Sequence, residues 1–243
     1  MDDTKIPKLV HYCWFGKSEK PSLVKKCISS WSEKLPDYKI IEWNESNFDI
    51  NFNTYVKNAY EFNKFAFVSD YVRIYALYNY GGIYLDTDVE VFKSFDNLLS
   101  NESFWGFEQD NYVATSTIGS KKNNKILKEI LDIYDNKDFI NNDGTIDNTT
   151  NVVIITNLIK EKGIVMNGEF QEIDCLTFYP QEYFSPYNYS NCKYLITDKS
   201  YCIHHFYKSW LPLNNRVKGY IKKIIATIIG SSNIEKLRKI IKG

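Results

Sequence analysis

Two aspartates two residues apart, Asp86 and Asp88, stand within an apolar run that follows a glycine pair, GGIYLDTDVEVF over residues 81–92. Carboxylates at the point where such a run leaves a core suit a hard divalent cation. Such an ion takes oxygen ligands and prefers one or two carboxylates beside the phosphate oxygens of a substrate. Asp-x-Asp also marks ordinary solvated turns, so the neighbouring segments decide between the two readings. Just upstream, FAFVSDYVRIYALYN (residues 65–79) is apolar nearly all round a helix, with Ser69, Asp70 and Arg73 as its polar exceptions. Asp70 and Arg73 are three apart and share a helix face. The plain reading is an ion pair that satisfies itself. Burying both charges is costly, however. A carboxylate for sugar hydroxyls beside a guanidinium for sugar or phosphate oxygens accounts for the two together.

The elements that must position these residues follow from pattern. Residues 8–15, KLVHYCWF, form a strand that stops at Gly16 and leaves Trp14 and Phe15 at its carboxyl end, where open α/β sheets bind ligands. Trp14 there is either core or a platform for a nucleotide base. Residues 21–34 carry Leu23, Val24, Cys27, Ile28 and Trp31 at helical spacing after Pro21, and 38–43 is a second strand, so the opening is a β-α-β unit. A loop over 44–54, one helix over 57–79 and the central strand follow; Gly81 and Gly82 end the helix, since glycine takes positive φ without strain. Strands are expected at 89–92, 104–108 and 112–118, and helices at 125–134 and 152–160. An Asn-rich loop over 135–150 lies between those helices. Short strands fill 163–203, and YCIHHFYKSW (residues 201–210) places His204 and His205 after a strand-like run, facing opposite sides if the strand persists.

The chain of 243 residues is long enough for one large α/β domain, and 44% hydrophobic with 25% charged residues is a soluble globular composition. Nineteen tyrosines and fifteen phenylalanines fit a sugar-handling cleft as well as a core. Zero net charge removes any bulk electrostatic case for nucleic acid. Five cysteines without a C-x-x-C pair indicate reduced thiols and a cytoplasmic setting, and the N-terminus has no secretory h-region. Residues 214–243 hold eight basic residues against one acidic, interleaved with isoleucines. That pattern divides the chain into a domain of residues 1–213 and a basic amphipathic tail of residues 214–243. The tail is suited to an anionic membrane surface or to docking on the domain with a solvated basic face.

The segment SDYVRIYALYNYGGIYLDTDVEV, with the opening IPKLVHYCWFG and the late HHFYKSW, resembles glycosyltransferase family thirty-two, the DxD-containing sugar transferases, and more distantly the large glucosylating toxins. The likeness spans residues 6 to about 211. It implies a GT-A-like fold, a Rossmann-like mixed central sheet flanked by helices. It implies Mn2+ or Mg2+ held by Asp86 and Asp88, and a nucleoside-diphosphate sugar as donor, with uridine as the expected base. The resemblance assigns Tyr12, Trp14 and Phe15 to the nucleotide, and Ser69, Asp70, Arg73 and Tyr84 to the sugar side. It also brings Asn151, Ser209 and Trp210 to the donor. One of the adjacent histidines contributes to metal or phosphate, with His205 favoured and the choice left open. Retention of configuration and transfer to a glycan or lipid-linked acceptor in bacterial surface polysaccharide synthesis are further implications. A nucleotidyltransferase and a non-catalytic carbohydrate-binding protein remain as rivals. The first lacks a glycine-rich basic loop after the first strand, and the second has no need of Asp70, Arg73, Asp86 and Asp88 together.

Overall fold

The structure is a computed structural model that describes residues 4–109, 112–189 and 192–207. Its opening is the expected β-α-β unit: β1 (Leu9–Cys13), α1 (Ser22–Lys34) and β2 (Lys39–Trp43), with β1 and β2 parallel. Next come α2 (Thr54–Glu61), α3 (Phe65–Tyr80), β3 (Gly82–Leu85) and β4 (Val89–Val91). The second half supplies β5 (Ser103–Glu108), β6 (Tyr112–Ser120), α4 (Lys125–Asp135) and α5 (Asn151–Glu161). It closes with β7 (Gln171–Ile173), β8 (Leu176–Tyr179), α6 (Gln181–Phe184), β9 (Tyr187–Asn188), β10 (Lys193–Tyr194) and β11 (Cys202–His204).

Seven strands form one mixed sheet in the order β2-β1-β3-β6-β5-β8-β7. The chain leaves β1 toward β2 on one side and returns to β3 on the other, both parallel to β1. The crevice beyond the carboxyl ends of β1 and β3 is therefore a topological switch point, the place where such sheets take ligands. β6 then runs antiparallel to β3. One face of the sheet is covered by α2 to α5 around Tyr71, Val72, Leu127, Ile130 and Ile155; the other is covered by α1, α6 and the β4–β11 ribbon around Trp31, Phe95 and Phe184. A mixed central sheet between helical layers is the architecture expected.

Residues 57–79 were expected as one helix and are two. The break is a Schellman closure with Asn63 at φ 55°: Lys64 N–H donates to Ala59 O at 2.8 Å and Asn63 N–H to Tyr60 O at 2.9 Å. Asparagine tolerates this left-handed conformation where most residues do not. α3 itself is the buried helix, with nine residues of its sixteen inside, including Asp70 and Arg73. It ends at Gly81, φ 65°, whose N–H donates to Leu77 O. A Cβ on Gly82, φ 110°, would lie 2.7 Å from Leu9 O, so the turn into β3 requires the glycine pair. Ser209, Trp210, the boundary at residue 213 and the basic tail lie outside the described residues.

Candidate active site

A cleft of about 780 Å³ opens at the switch point. Of the residues singled out from sequence, Trp14, Phe15, Ser69, Asp70 and Arg73 line it from the β1 loop and α3. Tyr84, Asp86, Asp88, Asn151 and His204 complete its floor and far wall.

Arg73 organises one half. Its Nη2 donates to Asp70 Oδ1 at 3.0 Å and to Asp86 Oδ1 at 3.1 Å, and its Nη1 donates to Thr115 O. The guanidinium carbon lies 4.6 Å from the centre of the Tyr84 ring, so Tyr84, itself fully buried, serves as the floor beneath it. Burial pushes the Asp70 carboxyl up to about 7, because Arg73 can only partly offset it while Asp86 shares the same cation. Arg73 is held firmly cationic: burial opposes its charge, and Asp86, Tyr84 and Asp70 outweigh burial. Its buried Nε and the neighbouring Ser116 Oγ have no hydrogen-bond partner.

Asp88 organises the other half. Its Oδ1 lies 3.3 Å from His204 Nε2, its Oδ2 accepts from Tyr207 N–H at 2.7 Å, and its carbonyl accepts from His205 N–H at 3.0 Å. These bonds lace the segment after β11 to the acidic turn. Burial works against the Asp88 charge, yet His204 and the Tyr207 N–H hold the carboxyl down to about 2. His204 is likewise opposed by burial and raised to about 9 by Asp88, then Glu108 and Asp86.

One ligand atom each from Asp86, Asp88 and His204 can be chosen so that all lie within 4.8 Å of one another. Two carboxylate oxygens and one imidazole nitrogen fit a hard to borderline divalent ion such as Mn2+ or Mg2+. The histidine in this group is His204. His205, favoured from sequence, points to the other side of β11, with Nε2 2.9 Å from Glu90, which in turn pairs with Lys26. Alternation along the strand separates the two rings, and the pairing of β11 with β4 decides which one enters the cleft.

Tyr12 is also corrected. It shares the α1 side of β1 with Val10, packs edge-on to Trp31, and donates its hydroxyl to Glu42, away from the cleft. Trp14 stands at the mouth with Nε1 donating to Ser18 O at 2.7 Å, and Phe15 lies inside against Phe48. Ser69 donates to Phe65 O, and Asn151, in the first turn of α5, donates to Thr115 Oγ1 at 3.1 Å.

Sequence reasoning missed Glu108, Thr115, Ser116, Phe206 and Tyr207, all of which line the cleft. Thr115 and Ser116 belong to a bulge: β5 and β6 pair at Phe104↔Gly119 and next at Gly106↔Ala114. At the bulge Thr115 O is left to accept from Arg73, while Ser116 O extends the β3–β6 ladder by accepting from Asp86 N–H.

Residues 21–105 match the family described as glycosyltransferase sugar-binding region containing DXD motif, and Asp86-Thr87-Asp88 is the DXD within it. Inositol phosphoceramide mannosyltransferase 3 of Schizosaccharomyces pombe is 27% identical over 130 residues, covering 52% of this chain and 36% of that protein. An uncharacterised glycosyltransferase of Acanthamoeba polyphaga mimivirus is 26% identical over 225 residues, covering 85% of this chain and 84% of its own. Among solved structures, a glycosyltransferase involved in the glycosylation of the major capsid of PBCV-1 superposes with a TM-score of 0.48 at 10% identity, over 87% of this chain and 98% of that one. Over residues 21–105 the chain is similar to the sugar-binding region of the DXD glycosyltransferases, the likeness its motifs led one to expect. It spans little more than a third of the mannosyltransferase, 36%.

Proposed function

We propose that this protein is a metal-dependent glycosyltransferase that moves a sugar from a nucleoside-diphosphate sugar, with uridine as base, to a hydroxyl of a glycan or lipid-linked acceptor. The observation that carries this reading is the meeting, at one switch-point cleft inside the matched sugar-binding region, of the Asp70–Arg73–Asp86 cluster with the Asp88–His204 pair. Asp86, Asp88 and His204 would hold Mn2+ or Mg2+. A divalent ion there supplies Lewis-acid neutralisation of the charge that grows on a departing diphosphate.

The chain's own groups do the rest. Trp14, at the mouth, offers its face to the base. Arg73, fixed by three acceptors and with Nε unpartnered, presents a rigid cation to a sugar or phosphate oxygen. Asp70 and Asn151 take sugar hydroxyls, which orients the anomeric carbon toward the open side of the cleft. In the retaining course favoured here, the acceptor hydroxyl attacks from the face the diphosphate leaves and its proton passes to a diphosphate oxygen. The products are a glycoside and a nucleoside diphosphate. Surface polysaccharide synthesis at the cytoplasmic face of a bacterial membrane is the setting we infer from the family resemblance, and the composition of residues 214–243 suits an anionic lipid surface there.

Purified protein incubated with a panel of sugar nucleotides and Mn2+ tests the reading. Free sugar plus nucleoside diphosphate is expected. Cleavage between the α and β phosphates would make it a nucleotidyltransferase, and no turnover would leave a binding protein. For the tail, flotation with anionic liposomes should be lost in a version ending at Leu213; equal flotation refutes the membrane role.

A further inference from the structure

His204 meets the acidic turn through one ring nitrogen only. Nε2 lies 3.3 Å from Asp88 Oδ1, while Nδ1 is buried and without a hydrogen-bond partner. The nearest carboxylate oxygen to Nδ1 that pairs with it is Oε2 of Glu108, at 4.0 Å, from the carboxyl end of β5. Phe206 stacks on the imidazole with ring centres 4.0 Å apart and planes 30° apart, so the ring plane is set. A histidine that binds a metal through one nitrogen is neutral and carries its proton on the other, and that N–H is usually given to a carboxylate or carbonyl that fixes tautomer and aim.

Resting on the metal reading above, we propose that Glu108 is a positioning residue: its carboxylate takes the Nδ1–H of His204 and aims Nε2 at the carboxylates of Asp86 and Asp88. The separation is about 1 Å beyond hydrogen-bond length. A rotation of the Glu108 side chain, 19% accessible, is required to close it. The residue acts through His204 and not on the sugar.

The test is Mn2+ affinity of the full chain without donor, read from the electron paramagnetic resonance signal of free ion, for the wild type, Glu108→Gln, Glu108→Ala and Asp88→Asn. Glu108→Ala should bind about 10–100-fold more weakly. Glu108→Gln, whose amide oxygen still accepts, should fall between, with the metal-free melting temperature of both unchanged above about pH 9, where His204 is neutral and Glu108 no longer supports its charge. In 15N spectra with diamagnetic Mg2+, His204 should hold its proton on Nδ1 in the wild type and lose that preference in Glu108→Ala. Affinity within twofold of wild type in both variants overturns the proposal, as does a loss of affinity matched by a fall in metal-free stability at that pH. Wild-type protein that binds Mn2+ but turns over no sugar nucleotide would overturn the proposed function alone. Wild-type protein that takes no Mn2+ overturns both.

Discussion

His11, fully buried, and His204, half-buried, sit on the strands that frame the cleft, and they are treated in opposite ways. His11 has each nitrogen answered: Nε2 donates to Gly81 O at 2.8 Å and Nδ1 accepts from Trp43 Nε1–H at 3.1 Å. That arrangement admits only the neutral ring, and burial, against the help of the Gly81 carbonyl, lowers its pKa to about 4. His204 faces carboxylates, is raised to about 9, and keeps an unpartnered nitrogen. The first ties β1, β2 and the end of α3 together and leaves no valence over. The second belongs to a cluster with open valences at Arg73 Nε and Ser116 Oγ as well. Buried polar groups are normally satisfied, so Arg73 Nε and Ser116 Oγ, unpartnered in one cleft, fit a place where a ligand completes the bonding, whereas His204 Nδ1 faces Glu108.

The largest expected effect breaks the open cluster. Asp88→Asn keeps an oxygen for the Tyr207 N–H but removes charge from the proposed cation site. Metal-dependent donor hydrolysis should fall about 100-fold or more, since such an ion supplies several kcal/mol of charge stabilisation. Product release measured across a Mn2+ titration checks this, and undiminished turnover would remove the acidic turn from the chemistry. Arg73→Ala should be the costliest change to the fold. It leaves Asp70 and Asp86 facing each other unpaired, for a loss of about 3–5 kcal/mol in denaturant unfolding. A loss below about 0.5 kcal/mol would mean the ion pairs do not hold α3 to the DXD turn.

The two histidines should pull stability in opposite directions with pH. His11 has a folded pKa of about 4 against 6.5 unfolded, so the unfolded chain binds the extra proton between these values. Its contribution of about 3 kcal/mol is complete above pH 6.5 and is lost as pH falls toward 4. For His204 in metal-free protein the folded pKa is the higher one, so its contribution is complete below 6.5 and is lost as pH rises through about 9. Unfolding free energies in EDTA, for wild type against His11→Gln and His204→Gln, should show the acid-side loss vanish in the first and the alkaline-side loss in the second. The reverse assignment would overturn the comparison.

What could be read in the chain beforehand follows the same divide. The parallel opening, the glycine-terminated buried helix, the DXD turn and the partners Asp70 and Arg73 were legible because each rests on local pattern: periodicity, positive-φ glycine, an ion pair three residues apart. What was not legible depends on how distant strands meet. Alternation says that His204 and His205 oppose each other, but only the pairing of β11 with β4 sets the phase. Tyr12 follows Val10 to the α1 side by the same parity, whereas Trp14 and Phe15 lie past the strand and escape it. The bulge at Thr115 and Ser116 has no local signature in the run Ala-Thr-Ser-Thr, and with it went the carbonyl that anchors Arg73. Asn63 was a readable signal for the α2–α3 break, being a residue at home in left-handed backbone, but an unbroken apolar period on either side outweighed it.

The smallest predicted effect sharpens the contrast most directly. Trp43→Phe removes the donor to His11 Nδ1 while leaving the ring buried and Gly81 O in place. A hydrogen bond to the neutral form disfavours protonation, so its loss should raise the His11 pKa. A bond of about 1 kcal/mol corresponds to somewhat under one pKa unit. Stability will also fall from the smaller ring packed in place of Trp43, so the decisive readout is the histidine titration followed by NMR and not the melting temperature. An upward shift identifies the Trp43 donor as part of what keeps His11 neutral. An unchanged titration would mean that burial alone does so, and that satisfaction of both nitrogens is a consequence of the neutral ring and not a cause of it.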